Sequence, residues 1–89
     1  MRIKKGYLLR LVGNQNVVVA IGEESLKFNG MLRLNQTATY MWELLIEGSS
    51  EEELIRAVHD RYDADIDMIK KDVTQFIAKL QEAKVIEDL

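Results

Sequence analysis

The chain has 89 residues, of which 47% are hydrophobic and 30% charged, with a net charge of −3 and no cysteine. This length fits one domain, residues 1–89, and the composition is that of a folded protein rather than a disordered tail. Without cysteine the domain has neither disulfides nor thiolate metal sites, and the reducing cytoplasm is the expected compartment.

Charge is distributed unevenly along the chain. Residues 1–34 carry six basic and two acidic side chains, a net of +4, whereas residues 35–89 carry six basic and thirteen acidic ones, a net of −7. The negative net charge of the chain argues against general attraction to nucleic acid. The positive charge of residues 1–34 favours an acidic peptide as a ligand. The longest aliphatic run, residues 17–21, is far shorter than a membrane helix, and no signal-peptide pattern is present.

The first third of the sequence predicts three short strands. Tyr7–Val12 is apolar and β-prone, and residues 17–21 are rich in β-branched side chains. Residues 13–16 between them are dense in turn formers, so the two segments predict a hairpin with a four-residue connection. The Asn-Gly pair at 29–30 predicts a turn, since both residues tolerate positive φ, and residues 31–34 predict the third strand.

From Asn35 onward the apolar period becomes helical. Residues 38–46 place apolar side chains on one face of a first helix, with Asn35 as its N-cap and Gly48 as its stop. A second helix begins at a capping box, in which Ser50 and Glu53 each accept from a backbone N–H of the other. Both helix starts are therefore predicted to the residue.

The third helix is the longest. Its apolar stripe covers residues 66–80 and Asp65 is its predicted N-cap. It is expected to fray near residues 83–84, after which residues 85–86 pack back as a tail. Strands first and helices after indicate an α+β fold: a three-stranded antiparallel sheet followed by three helices, similar to a winged helix.

No catalytic or metal-binding pattern stands out. His59 is the single histidine, and there is no cysteine or second histidine to act with it. Asp63, Asp65 and Asp67 alternate as in the first half of a calcium loop, but the glycine and the terminal glutamate of that loop are missing. Capping of the third helix explains these aspartates better. Neither a Gly-rich phosphate loop nor a nucleophile elbow occurs. The sequence therefore predicts no enzyme, no cofactor and no metal.

A winged-helix regulator that binds DNA is the main alternative, since the third helix of such folds often enters the major groove. Here that helix would present Lys70, Lys71, Lys79 and Lys84 together with four acidic residues, so its surface is nearly neutral. It also has no arginine for guanine edges. DNA binding is therefore the second hypothesis, and an accessory subunit that binds only a protein partner is the third.

Five segments, taken in order, form a more specific pattern than any of them alone. In residues 28–38 a glycine precedes a short strand, and Leu-Asn with a small residue then opens a helix. Residues 42–48 give that helix and its glycine stop, and residues 50–54 open the next one. Residues 72–80 contain Asp-Val followed by Phe and then Leu at helical spacing. Residues 83–86 end the pattern with a small residue, any residue and an apolar residue. This pattern resembles the PqqD-like family and covers nearly the whole chain.

The resemblance implies a cytoplasmic, non-catalytic peptide chaperone, also called a RiPP recognition element. Such domains bind the leader of a ribosomally made precursor peptide and present the precursor to a modifying enzyme, which in the pyrroloquinoline quinone (PQQ) pathway is a radical S-adenosylmethionine (radical SAM) enzyme. Where the PQQ-pathway members carry Pro-Glu before the glycine, this chain has Phe28-Asn29, which leaves the pathway open. The leader is expected to add as an extra strand to the third strand, beside the third helix.

Strand addition works because an exposed edge strand offers unpaired backbone N–H and C=O groups. The third predicted strand supplies that edge, and one side of the third helix, off its apolar stripe, supplies a wall. Met68 is favoured there because adaptable apolar side chains suit peptide grooves. An unfilled edge also permits pairing with a second copy, so a monomer or a homodimer is expected. The predicted peptide-binding residues are Met31, Leu32, Arg33, Leu34, Met68, Lys71, Asp72 and Gln75.

Overall fold

The computed structural model describes residues 1–22 and 32–88. Within these ranges the chain forms five strands and three helices. The elements are β1 (Arg2–Ile3), β2 (Tyr7–Val12), β3 (Gln15–Ala20), β4 (Leu32–Leu34), α1 (Gln36–Glu47), α2 (Glu51–Arg61), α3 (Ile66–Glu82) and β5 (Ile86–Glu87). The turn predicted at residues 29–30 and the predicted site residue Met31 lie outside the described residues.

The main sheet is antiparallel and three-stranded, with β3 between β2 and β4, which confirms the predicted α+β fold. The hairpin turn is shorter than predicted, because Val12 pairs with Gln15 and only Gly13 and Asn14 lie between them. Gly13 has a φ of 62° and Asn14 has no positive φ, as in a type II′ turn with glycine first. Cross-strand pairing thus overrides the turn propensity of the polar residues at 15–16, which belong to β3.

A second, smaller ladder joins the two ends of the described chain. β1 pairs with β5, placing Arg2 opposite Glu87 and Ile3 opposite Ile86. The N-terminal ammonium of Met1 donates to the Ser49 carbonyl at 3.0 Å, which holds β1 at the corner between α1 and α2. The sequence predicts residues 85–86 only as a tail, since a two-residue strand is too short to carry a period.

Each helix begins where the sequence predicts. The Asn35 side chain accepts from the Ala38 N–H at 2.8 Å, and Ser50 and Glu53 make both hydrogen bonds of the capping box. Asp65 caps α3 in the same way. Such caps satisfy backbone donors that a helix start leaves unpaired, and each contributes about 1 kcal/mol. A single residue, Asn35, therefore separates the end of β4 from the start of α1.

One hydrophobic core lies between the main sheet and the helices. Trp42, only 1% exposed, is the largest of its fully buried side chains. The fully buried side chains are Val18, Trp42, Leu45, Leu54, Val73, Leu80 and Val85.

The prediction that Ile46 and Ile66 belong to the buried stripes is wrong. Both lie near helix ends and are 53% and 37% exposed, because the core does not extend that far.

Among the described residues, none of the helices has both the length and the apolar character of a membrane span.

α3 ends in a Schellman motif in which a lysine takes the position usual for glycine. The Lys84 N–H donates to the Gln81 carbonyl and the Val85 N–H to the Leu80 carbonyl, both at 3.0 Å. Leu80 and Val85 are both fully buried and supply the apolar contact of the motif. Lys84 has a φ of 59°, a conformation that costs a residue with a Cβ about 1 kcal/mol.

We therefore expect Lys84→Gly to raise the free energy of unfolding by about 0.5–1 kcal/mol, because glycine adopts positive φ without a Cβ clash. Lys84→Val is expected to lower it by about 1 kcal/mol, since a β-branched residue is poorly tolerated there. Urea denaturation followed by the fluorescence of Trp42, the single tryptophan, measures both. Lys71→Gly inside α3 is the matched control and should lose about 1 kcal/mol. A loss of that size in Lys84→Gly would contradict the left-handed conformation.

Candidate functional site

A groove runs along the free edge of the main sheet, between β4 and α3. β4 is an edge strand, because β3 pairs with one side of it and no other described strand pairs with the opposite side. The centre of this edge groove is a cavity of about 260 Å³, to which β4, the start of α1 and the second half of α3 all contribute. Its lining residues are Leu32, Arg33, Leu34, Asn35, Thr37, Ala38, Met41, Asp72, Gln75, Phe76, Lys79 and Leu80.

The edge groove has an apolar floor and a polar rim. Met41 of α1 and Phe76 and Leu80 of α3 are buried core residues whose surfaces close its bottom. The rim is exposed and carries both signs of charge, including Asp72 and Lys79. Such a site suits an apolar side chain whose backbone stays at the surface, since apolar burial supplies affinity and polar groups fix orientation.

The ladder pattern decides which backbone groups of β4 are free. The Ile21 N–H donates to the Gly6 carbonyl at 2.8 Å, so these two residues form a hydrogen-bonded pair across β2 and β3. Val12 and Gln15, which close the two-residue turn, form a hydrogen-bonded pair as well. Counting in steps of two from either pair gives the same set of hydrogen-bonded positions between β2 and β3. Asn16 and Val18 occupy the alternate positions of β3 and therefore direct their backbone groups toward β4.

Leu32 and Leu34 lie opposite these two residues and use their own N–H and C=O groups inside the sheet. Arg33 lies between them, so its N–H and C=O point outward from the sheet edge. Side chains alternate as well: those of Leu32 and Leu34 face the helices, and that of Arg33 projects from the opposite face. Within the described part of β4, Arg33 thus offers one free donor and one free acceptor to an added strand.

The structure places five of the eight predicted residues in the lining of the edge groove. Met68 and Lys71 are exposed on α3 and do not belong to this lining; the Met68 side chain is 60% exposed. Met31 lies outside the described residues. The five that line the groove are Leu32, Arg33, Leu34, Asp72 and Gln75.

Sequence reasoning missed six lining residues of α1 and α3. The helical period assigns Phe76 and Leu80 to the core, and a residue at the border of the core also forms the floor of a groove. Lys79 had a signal in the sequence, because it lies four residues after Gln75 and seven after Asp72 and so shares their helix face. The missed residues are Thr37, Ala38, Met41, Phe76, Lys79 and Leu80.

Two larger cavities follow the edge groove at its ends. At the Leu32 end a cavity of about 600 Å³ lies against Lys79 and Glu82 near the end of α3. At the Leu34 end a cavity of about 650 Å³ lies between the tip of the β2–β3 hairpin, α1 and the end of α2. Arg33 lines all three cavities, so they form one series along β4.

The acidic residues and the histidine do not assemble a metal centre in the described ranges, where no group of three His, Asp or Glu side chains could hold an ion. Asp65, one of the three alternating aspartates, caps α3. His59 is exposed on α2.

Residues 15–86 match the sequence profile of the family described as Coenzyme PQQ synthesis protein D (PqqD). The chain belongs to the PqqD family. The match runs from β3 into β5 and so includes the edge strand β4 and all three helices. No curated protein matches the sequence with significance.

Two solved structures are similar in fold to this PqqD-family chain. One is TbiB1 in complex with the TbiA(beta) leader peptide, which is 20% identical with a TM-score of 0.76, over 100% of this chain and 98% of that one. The other is a lasso peptide synthetase B1 complexed with the leader peptide, 17% identical with a TM-score of 0.69, over 91% of this chain and 89% of that one. At these identities the likeness shows a common fold.

The backbone directions in β4 predict opposite responses to proline. Arg33→Pro should change the free energy of unfolding by less than about 0.5 kcal/mol relative to Arg33→Ala, because edge strands tolerate proline where the N–H faces outward. Leu32→Pro should lower it by about 2 kcal/mol relative to Leu32→Ala, since it removes a ladder bond and leaves a carbonyl of β3 unpaired. Urea denaturation of the four variants measures this. The reverse order would mean that the Arg33 backbone faces β3.

Proposed function

We propose that this PqqD-family chain is a non-catalytic adaptor that captures the leader of a ribosomally made precursor peptide and presents the precursor to a modifying enzyme. The observation that carries the proposal is the outward-facing backbone of Arg33 directly beside an apolar groove. Both solved structures of similar fold are complexes with leader peptides, which supports a peptide as the ligand here.

The mode of capture is strand addition at β4. A leader residue opposite Arg33 exchanges two backbone hydrogen bonds with it, as in an internal strand pair. The neighbouring leader residues then lie opposite Leu32 and Leu34, and their side chains point toward the helices and into the edge groove. The leader is therefore expected to carry an apolar-x-apolar sequence at this point, with the middle residue on the face that bears the Arg33 side chain.

β4 is a better peptide site than β2, the other edge of the main sheet. The three cavities described above all lie along β4, and α3 forms a wall of two of them. β2 instead carries exposed apolar residues such as Leu11, 71% exposed, at the hairpin tip. This second edge is compatible with pairing between two copies, so the adaptor is proposed as a monomer or a homodimer.

Family membership supports a proposal for the partner enzyme and for the compartment. A radical SAM enzyme is the proposed partner, as in PQQ biosynthesis, and the cytoplasm is the proposed location, where ribosomal precursors are made. The adaptor itself is proposed to need no cofactor. DNA binding is less well supported, because the second half of α3 forms the wall of the edge groove and the exposed residues of the helix carry both signs of charge.

Titration of leader peptides tests the proposal. Short peptides encoded beside the gene are titrated calorimetrically into the wild-type domain, Arg33→Pro and Arg33→Gln. One leader should bind, and Arg33→Pro should weaken its binding about 5- to 150-fold, because a peptide carbonyl then loses its donor at a cost of about 1–3 kcal/mol. Arg33→Gln keeps the N–H and should weaken binding by less than about threefold.

Two results would contradict the proposed function. In the first, a leader binds Arg33→Pro as tightly as it binds the wild type, so the edge of β4 is not used. In the second, no leader binds, whereas duplex DNA binds in a salt-dependent manner, which would favour the winged-helix regulator.

A further inference from the structure

The cavity at the Leu34 end of β4 is a second polar site that the edge groove does not include. The tip of the β2–β3 hairpin supplies amide side chains to its lining, including that of Gln15, and α1 and the end of α2 supply the rest. At about 650 Å³ it is the largest of the three cavities along β4. We call it the hairpin cavity.

One cation in this lining is held in place without an anionic partner. The Cζ atom of Arg61 lies 4.4 Å from the ring centroid of Tyr40, and the Tyr40 ring meets Tyr62 edge-on at a centroid distance of 6.4 Å. Among the described residues no carboxylate lies within ion-pair distance of Arg61. The ion pair formed by those residues joins Arg2 and Glu87, which lie outside the hairpin cavity. The guanidinium therefore keeps its N–H donors available, and its stacking on Tyr40 reduces the entropy that binding would remove.

Two hydroxyls in the same lining also lack partners. Thr39 Oγ1 and Tyr62 Oη are both buried and have no hydrogen-bond partner among the described residues. A buried polar atom without a partner is unfavourable by about 1–3 kcal/mol, and native structures contain few of them. The Arg61 guanidinium and the amides of the lining, rather than these enclosed hydroxyls, favour a ligand that is rich in hydrogen-bond acceptors.

A strand added to β4 leads into the hairpin cavity. Leu34 and Asn35 line both this cavity and the edge groove. A leader that pairs antiparallel to β4 continues the alternation of the main sheet and runs from the Leu34 end toward the Leu32 end. Its residues N-terminal to the one opposite Arg33 therefore enter the hairpin cavity. A sphere of this volume is about 11 Å across, which accommodates about three extended residues.

We propose that the hairpin cavity binds one acidic side chain of the leader, about two to four residues N-terminal to the residue that pairs with Arg33. Arg61 binds its carboxylate through paired N–H donors, the geometry that guanidinium groups favour. Arg33 and Arg61 against Glu43 leave the lining with a net charge of +1, which matches one acid rather than two. This inference rests on the proposed function, because it needs a leader paired with β4.

A double-mutant cycle tests the contact. The probe is the leader that binds the wild-type domain, together with versions in which each Asp or Glu of its N-terminal flank is changed to Asn or Gln. Each is titrated into the wild type, Arg61→Gln and Arg56→Gln. Arg56 is the matched control, because it is an exposed arginine of the same helix that does not line the cavity. Arg61→Gln should weaken the unmodified leader about 5- to 10-fold, and Arg56→Gln less than twofold.

Neutralising one acidic residue of the leader should weaken binding to the wild-type domain by the same factor as Arg61→Gln does. Neutralising that residue should not weaken binding to Arg61→Gln any further. The inference is overturned if Arg61→Gln binds within twofold of the wild type, if it loses no more than Arg56→Gln, or if no single acid is coupled to Arg61. A bound leader without an acid in that flank also overturns it. The proposed function stands in each of these cases if Arg33→Pro weakens the leader as predicted above. If no leader binds at all, both proposals fail together.

Discussion

Antiparallel pairing of β4 with β3 over three residues is the constraint on which the site depends. Because Leu32 and Leu34 use their backbone groups inside the sheet, their side chains face the helices and the Arg33 backbone faces outward. Asn35 then caps α1 at once, so the strand ends there and the first turn of α1 closes one end of the edge groove. The second half of α3 lies along the remaining side. Strand register, helix cap and groove are thus fixed by the same few residues.

A short edge beside a groove is well suited to selective peptide capture. The three described residues of β4 offer few backbone groups for indiscriminate pairing, which limits the aggregation that long exposed edges invite. Binding then requires side chains that fit the edge groove as well as a backbone that pairs with Arg33. In the proposed complex the hairpin cavity would extend the contact to a polar segment of the leader, where charge rather than apolar burial would discriminate. Apolar burial in the groove and charge in the hairpin cavity would thus select the same leader at adjoining positions.

Local signals in the sequence predict most of the fold. Asn35, Ser50 and Asp65 are caps because their side chains act on backbone groups two or three residues away, and such contacts are visible in a sequence. The β1–β5 ladder and the tight turn at Gly13 depend on pairing, which overrides local propensity. The groove was predicted only in part, because Phe76 is both core and groove floor. The hairpin cavity joins residues near positions 15, 40 and 61, and no local pattern indicates that these meet.

The most direct test of the account is amide hydrogen exchange at β4, in the isotopically labelled domain with and without a bound leader peptide. In the free domain the Leu32 and Leu34 amides should exchange slowly and the Arg33 amide quickly, because only the first two donate inside the sheet. A saturating leader should slow the Arg33 amide and leave that of exposed Lys71, outside the groove, unchanged relative to the free domain. An Arg33 amide that is already protected in the free domain, or that stays unprotected in the complex, would contradict strand addition at this edge.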